Sequence, residues 1–155
     1  MKVELVDSAT ERAAQVQPVC SAAIVCGSLH RHRYQASLLR FVKQNRGWLT
    51  GLPAAFIAVS LTARLQDEQT HEELRAIEEA FYRETGWRPA ITCHIAGALR
   101  YTEYGYFKRL IMRLIAKQQR GDTDTSRDHE YTDWDDLTRF VEEFLAATSQ
   151  QEGGH

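Results

Sequence analysis

Apolar residues along the chain fall into two alternating patterns. Ala22-Ala23-Ile24-Val25-Cys26, Ala54 to Val59 and Ala90 to Ala96 are short, nearly continuous apolar runs, the pattern of strands buried on both faces. Between and after them the apolar positions recur every three or four residues: Leu38, Leu39, Phe41 and Val42; Leu74, Ile77 and Phe81; Leu137, Phe140, Val141, Phe144 and Leu145. That spacing predicts amphipathic helices. A further short run, Val3-Glu4-Leu5-Val6, predicts a strand at the front, with a helical or irregular crossover from Thr10 to Val19 interrupted by Pro18.

Punctuation residues set the expected ends. Gly27 closes the Ala22–Cys26 strand ahead of a polar loop, Ser28-Leu29-His30-Arg31-His32-Arg33-Tyr34, and the next helix is expected to stop at Gly47. Pro53 opens the second buried strand, which runs into Ser60-Leu61-Thr62-Ala63-Arg64. Thr70 is expected to cap the following helix, with Glu73 in capping-box spacing, and Gly86 to end it. Asp133 is expected to cap a last helix, Trp134 to Ala147, giving a domain over 1–148 and a disordered tail over 149–155. The resulting order, βα repeated with a long excursion after the last strand, predicts an α/β doubly wound parallel sheet. Such sheets bind ligands beyond the carboxyl ends of their strands, so the loops after Cys26 and Val59 are the default site.

Composition narrows the class. With 155 residues, 43% of them hydrophobic, the chain can bury one core and is expected to form one soluble domain. A net charge of -2 gives no reason to expect nucleic acid as a partner. Charge is instead local: Tyr101 to Arg120 carries five basic residues against one acid, and Gly121 to Glu143 carries nine acids against two arginines. Cys20, Cys26 and Cys93 are odd in number with no Cys-x-x-Cys pair, which predicts three buried thiols and argues against a disulfide framework or structural zinc. His30 and His32 lack an evident third ligand, and Asp122 and Asp124 are explained by a loop and helix cap, so no metal is expected. No apolar run has the length of a membrane span and the front lacks a signal-peptide core, which leads to the expectation of a cytoplasmic protein or one touching a membrane from that side.

Three motifs lie in order between the third strand and the last helix: Gly-Ala-Leu-Arg-Tyr from Gly97, Thr-Asp-Thr from Thr123 and Tyr-Thr-Asp-Trp from Tyr131. In this the chain resembles the menaquinone-dependent protoporphyrinogen IX dehydrogenases, flavodoxin-fold enzymes of haem biosynthesis, over about Val3 to Leu145. The resemblance implies a flavodoxin-like sheet of order 2-1-3-4-5 with a long helical insertion near the last strand, and FMN as cofactor. It places the flavin ring between the loops after the third and fourth strands, here Ser28, Leu29, His30, Arg31, His32 and Tyr34 on one side and Ser60, Leu61, Thr62, Ala63 and Arg64 on the other. Backbone amides there would serve the pyrimidine edge, with Tyr34 and His32 as stacking candidates. The implied reaction is oxidation of protoporphyrinogen IX to protoporphyrin IX, with electrons passed to menaquinone or another quinone. No catalytic residue is singled out. A homo-oligomer is left open.

Phe107, Leu110, Ile111, Leu114 and Ile115 fall on one face of a predicted helix in the insertion, with Arg109, Arg113 and Lys117 on the other. Preceded by Arg100, Tyr101, Tyr104 and Tyr106, this helix is expected to contact substrate or to lie peripherally on the cytoplasmic face of the inner membrane; an ordinary surface helix is the alternative. The front of the chain departs from the family. Only Met1-Lys2 precede the expected second strand, so the first strand and its phosphate-cradling loop are expected to be missing and the chain to carry little or no FMN. Two other functions fit the same residues: a flavin-free relative acting as a membrane- or protein-binding module, and a general flavodoxin-type electron carrier.

Overall fold

The computed structural model describes residues 4–16, 19–29, 32–60, 67–96, 112 and 134–152. Three strands, β1 (Ala23–Ser28), β2 (Ala54–Ser60) and β3 (Ile91–Ala96), alternate with helices α1 (Ala36–Thr50) and α2 (Glu68–Thr85), and α3 (Trp134–Glu152) comes last. The strands form one parallel sheet in the order β1-β2-β3. β1 pairs with β2 from Ala23↔Ala54 to Ser28↔Val59, and β2 with β3 from Ala55↔Ile91 to Ser60↔Ala96.

β2 is apolar at six successive positions, and the pleat sends alternate residues to opposite faces, so it is buried along its whole length. Ala54, Phe56 and Ala58 join Val25 of β1, Leu38, Val42 and Leu49 of α1, Phe81 and Tyr82 of α2, and Trp87 just after α2 in one cluster. Ile57 and Val59 face the other way, against Ile95 and against Leu137 and Val141 of α3. Helices thus cover both faces of β2, which is why it carries no polar alternation, whereas β3 carries Thr92 and His94 among its apolar residues. Phe56 is the hub of the first cluster: its ring stacks on Phe81 at 5.2 Å and meets Tyr34, Tyr82 and Trp87 edge-on. Each such pair contributes about 0.5–1.5 kcal/mol beyond the area it buries.

Several expected boundaries move, each for a local reason. Glu4, Leu5 and Val6 form no strand; Asp7 instead nucleates a turn, accepting from Thr10 N–H on its carbonyl and from Ala9 N–H on its carboxylate, and Arg12 of the 3-10 turn Glu11–Gln15 folds back to pair with Glu4 at 3.0 Å. α1 passes through Gly47 and ends at Gly51, because Trp48 and the fully buried Leu49 complete its core stripe, and that packing outweighs the ~1 kcal/mol a mid-helix glycine costs. The cap of α2 is Asp67, whose carboxylate accepts from Thr70 N–H at 2.7 Å, so Thr70 lies inside the helix. Gly86 does end α2, in the left-handed region at φ 73, with the Arg46 side chain of α1 packed where a Cβ would stand. α3 continues beyond Ala147 to Glu152, since buried Thr148 extends the stripe of Leu137, Val141 and Phe144; the expected tail is helical through 152. Cys20 is exposed and precedes β1, so only Cys26 and Cys93 are partly buried thiols.

Candidate functional site

The carboxyl ends of the strands are staggered by the register, Ser28 standing opposite Val59 and Ser60 opposite Ala96. All three strands therefore end in small residues, and Ser28 and Ser60 are buried. No bulky side chain from the last position of a strand stands over this edge of the sheet, which fits a flat ring laid across it. Gly27 serves the same end one residue earlier. A Cβ there would come within 2.6 Å of Leu38 Cδ2 and 3.4 Å of Tyr34 and Phe56 atoms, so only glycine lets α1 and the loop close on β1.

Beyond Ser28 the loop is fastened at both sides. Leu29 N–H donates to Val59 carbonyl at 2.9 Å, carrying the ladder one residue past the strand. Gln35, the residue before α1, turns its carboxamide back on Ser28: its Oε1 accepts from Ser28 N–H at 3.1 Å and its Nε2 donates to Ser28 Oγ at 2.9 Å. Between these fastenings His32 sits in the left-handed region at φ 66, a conformation that costs a non-glycine residue about 1 kcal/mol or more. Ser28 and Leu29 amides are thus engaged within the protein, which corrects the expectation that they serve a flavin. Tyr34 is corrected likewise. Its ring packs edge-on against Phe56 and Phe81, and its hydroxyl is buried without a partner. Burial, aided by the negative charge of Glu78, pushes its pKa up, so it stays a neutral phenol beneath the loop.

A second polar cluster lies where α2 crosses β3. His94 Nε2 and Glu78 Oε2 are 2.6 Å apart, Tyr82 hydroxyl donates to Glu78 Oε1 at 2.8 Å, and the same hydroxyl is 2.7 Å from Thr92 Oγ1. Burial pushes the Glu78 carboxyl up, but the hydrogen bonds from His94 and Tyr82 and the imidazole charge outweigh it and hold it below its usual range. Neither this cluster nor Gln35 was anticipated. The available signals were the polar Thr92 and His94 alternating within an apolar run, Glu78 one helical turn before Tyr82, and a glutamine where a helix cap is normally Ser, Thr, Asp or Asn.

Of the expected site residues, Ser28, Leu29, His32, Tyr34 and Ser60 are thus brought to the carboxyl ends of β1 and β2 or directly beneath them. His30, Arg31, Leu61, Thr62, Ala63, Arg64, Arg100, Tyr101, Tyr104, Phe107, Arg109, Arg113 and Lys117 lie outside the described residues, as do Asp122, Asp124 and Asp133. Among the described residues no helix is long and apolar enough to cross a membrane, and no group of three His, Cys, Asp or Glu side chains could hold a metal.

Consecutive parallel strands, with α1 and α2 on one face and α3 on the other, define a doubly wound α/β protein. Comparison with known families specifies it further: the flavodoxin domain family matches residues 2–126, and the chain belongs to that family. The chain is 32% identical over 127 residues to the protoporphyrinogen IX dehydrogenase (quinone) of Escherichia coli K12, covering 82% of this chain and 70% of that one, with the same figures for the protein of strain O157:H7. The Leishmania major protein of that name is 34% identical over 119 residues, 77% of this chain and 51% of its own length, so the chain spans about half of that relative. No solved structure matches the chain. Strand order agrees with the expected fold, in which the third, fourth and fifth strands are consecutive neighbours.

Proposed function

We propose that the chain is an FMN-dependent dehydrogenase that oxidises protoporphyrinogen IX to protoporphyrin IX and delivers the electrons to a quinone, menaquinone included, at the cytoplasmic face of the membrane, as a step of haem formation. The observation that carries this reading is the 32% identity over 82% of the chain to a protoporphyrinogen IX dehydrogenase (quinone), within the flavodoxin family. The small residues at the strand ends support it, since they leave room for a flat ring.

FMN, when bound, supplies the acceptor for the hydrogens taken from the macrocycle and the carrier for electrons leaving to the quinone. The chain's own residues bind and orient. Loop residues Leu29 and His32, with Ser60 and the Leu61–Arg64 segment after it, would hold the flavin; Leu29 would do so through its carbonyl, its amide being engaged, while Ser28, whose amide and hydroxyl are held by Gln35, anchors the start of the loop. Arg31, Arg33, Arg64 and Arg100 pair with the substrate's propionates. The segment bearing Phe107, Arg109, Arg113 and Lys117 brings the site to an anionic lipid surface where a lipid quinone is reached.

The test follows protoporphyrin fluorescence in the dark under argon, with the purified protein, protoporphyrinogen IX, FMN and a soluble menaquinone analogue. The reading predicts product formation that requires protein, FMN and quinone together. Fluorescence that fails to rise above the protein-free control overturns it.

A further inference from the structure

We infer that Gln35 is a positioning residue for the flavin: its carboxamide clasps Ser28 at two points and so ties the end of β1 to the start of α1. The flavin half of this inference rests on the functional reading above; the clasp itself does not.

The geometry is unusual for the place. Gln35 occupies the cap position of α1, yet its side chain makes no capping hydrogen bond to its own helix and instead reaches back seven residues to the end of β1. A carboxamide is the neutral group that can accept from an N–H and donate to a hydroxyl oxygen of the same residue at once. The two bonds, at 3.1 and 2.9 Å, hold together the two ends of the segment between β1 and α1. Within that segment His32 is kept at φ 66, a backbone state that an unrestrained histidine would rarely hold. With Ser28 and Gln35 tied by a part-buried clasp and His32 held in a costly conformation near it, these residues are preorganised, and preorganisation lowers the ordering cost when a ligand binds. Gly27 completes the arrangement by leaving room for Leu38 and Tyr34 to pack against the strand next to Ser28.

The experiment measures two quantities on the full chain and on Gln35→Leu, which removes both bonds at similar volume, and Gln35→Glu, whose carboxylate still accepts from Ser28 N–H and can accept from its hydroxyl. One is FMN affinity by quenching of flavin fluorescence; the other is amide hydrogen exchange at Ser28 relative to Ile95 in β3, which separates local loosening from a global loss of stability. The expected result is FMN binding weakened by on the order of tenfold in Gln35→Leu, the scale of one hydrogen bond lost. Ser28 exchange should accelerate while Ile95 changes less, and Gln35→Glu should restore both measures towards the parent. If Gln35→Leu does not fold, Gln35→Asn, one methylene too short to reach, takes its place with the same expectations. Unchanged FMN affinity, or Ser28 and Ile95 accelerating by the same factor, overturns the positioning role. If the parent binds no FMN, the functional reading fails, and Ser28 exchange alone then decides the clasp: local acceleration upholds it and none overturns it.

Discussion

Replacing Gly27 with alanine tests whether the candidate site and the core are built by the same close approach. The new Cβ would lie 2.6 Å from Leu38 Cδ2, well inside contact distance, with Tyr34 Cδ1 and Phe56 Cζ each at 3.4 Å. Leu38 is 5% exposed and packed in the cluster with Val25, Val42 and Phe56, so its methyl has little room to retreat. Relief therefore requires α1 to shift outward or Leu38 to leave its rotamer, an overpacking cost of about 1–3 kcal/mol. Alanine regains about 0.4–1 kcal/mol by restricting the unfolded chain, leaving a net destabilisation of roughly 1–2 kcal/mol. Gly47→Ala is the matched control. Gly47 lies inside α1, and a methyl added there would meet nothing within 4 Å, so helix propensity alone should stabilise by about 0.5–1 kcal/mol. Urea unfolding reads both as changes in midpoint at constant m value. Gly27→Ala should lower the midpoint and Gly47→Ala should raise it. A Gly27→Ala protein as stable as its parent would refute the claim that α1 is pressed onto β1 at this point.

Three further outcomes follow from single contacts. Asp67→Ala removes the carboxylate that accepts from Thr70 N–H and should lower Tm on the order of a few degrees by calorimetry, whereas Thr70→Val, replacing the residue first expected to cap, should not reproduce loss of the cap. Because the Glu78 carboxyl is held below its ordinary value of 4.5 in the folded state, its contribution is present in full above that value and is lost as pH falls through the folded pKa; Glu78→Gln should therefore flatten the fall in stability as pH drops below 4.5, and an acid limb of unchanged slope contradicts the His94–Tyr82 network. Cys20 is exposed while burial pushes the Cys26 thiol up to about 12 and the Cys93 thiol up to about 11, so a thiol reagent at neutral pH should label one cysteine rapidly and the other two only on unfolding.

What could be read from the sequence, and what could not, divides along a physical line. The apolar run at 54–59 gave β2 to within a residue because burial on both faces leaves no competing pattern, and the run at 90–96 gave β3 to within a residue although that strand is only partly buried. Parallel order followed from the alternation of strands and helices. Boundaries set by tertiary contacts were less visible. Gly47 looks like a stop until Leu49 is seen filling the core, and Thr70 looks like a cap until Asp67 takes the role three residues earlier. At the site, the loop's residue types suggested ligand-binding amides, but the use of those amides depends on Gln35 and Val59, which adjoin the two loops without any spacing that pairs them with Ser28 and Leu29. Tyr34 illustrates the same point: an aromatic in a polar loop suggests stacking on a ligand, and only the position of Phe56 and Phe81 reveals it as core. The Glu78–His94 pair joins a helix to a strand sixteen residues away, a pairing that spacing within either element does not encode.

The central claim is that a flavin lies across the carboxyl ends of β1 and β2, and amide chemical shifts measured during titration with FMN test it most directly. The account predicts perturbations concentrated at Ser28 to Gln35, Ser60 and Ala96, with the amino ends of the strands, Ala23, Ala54 and Ile91, unmoved. Perturbations centred on those amino ends, or none at saturating FMN, would contradict it.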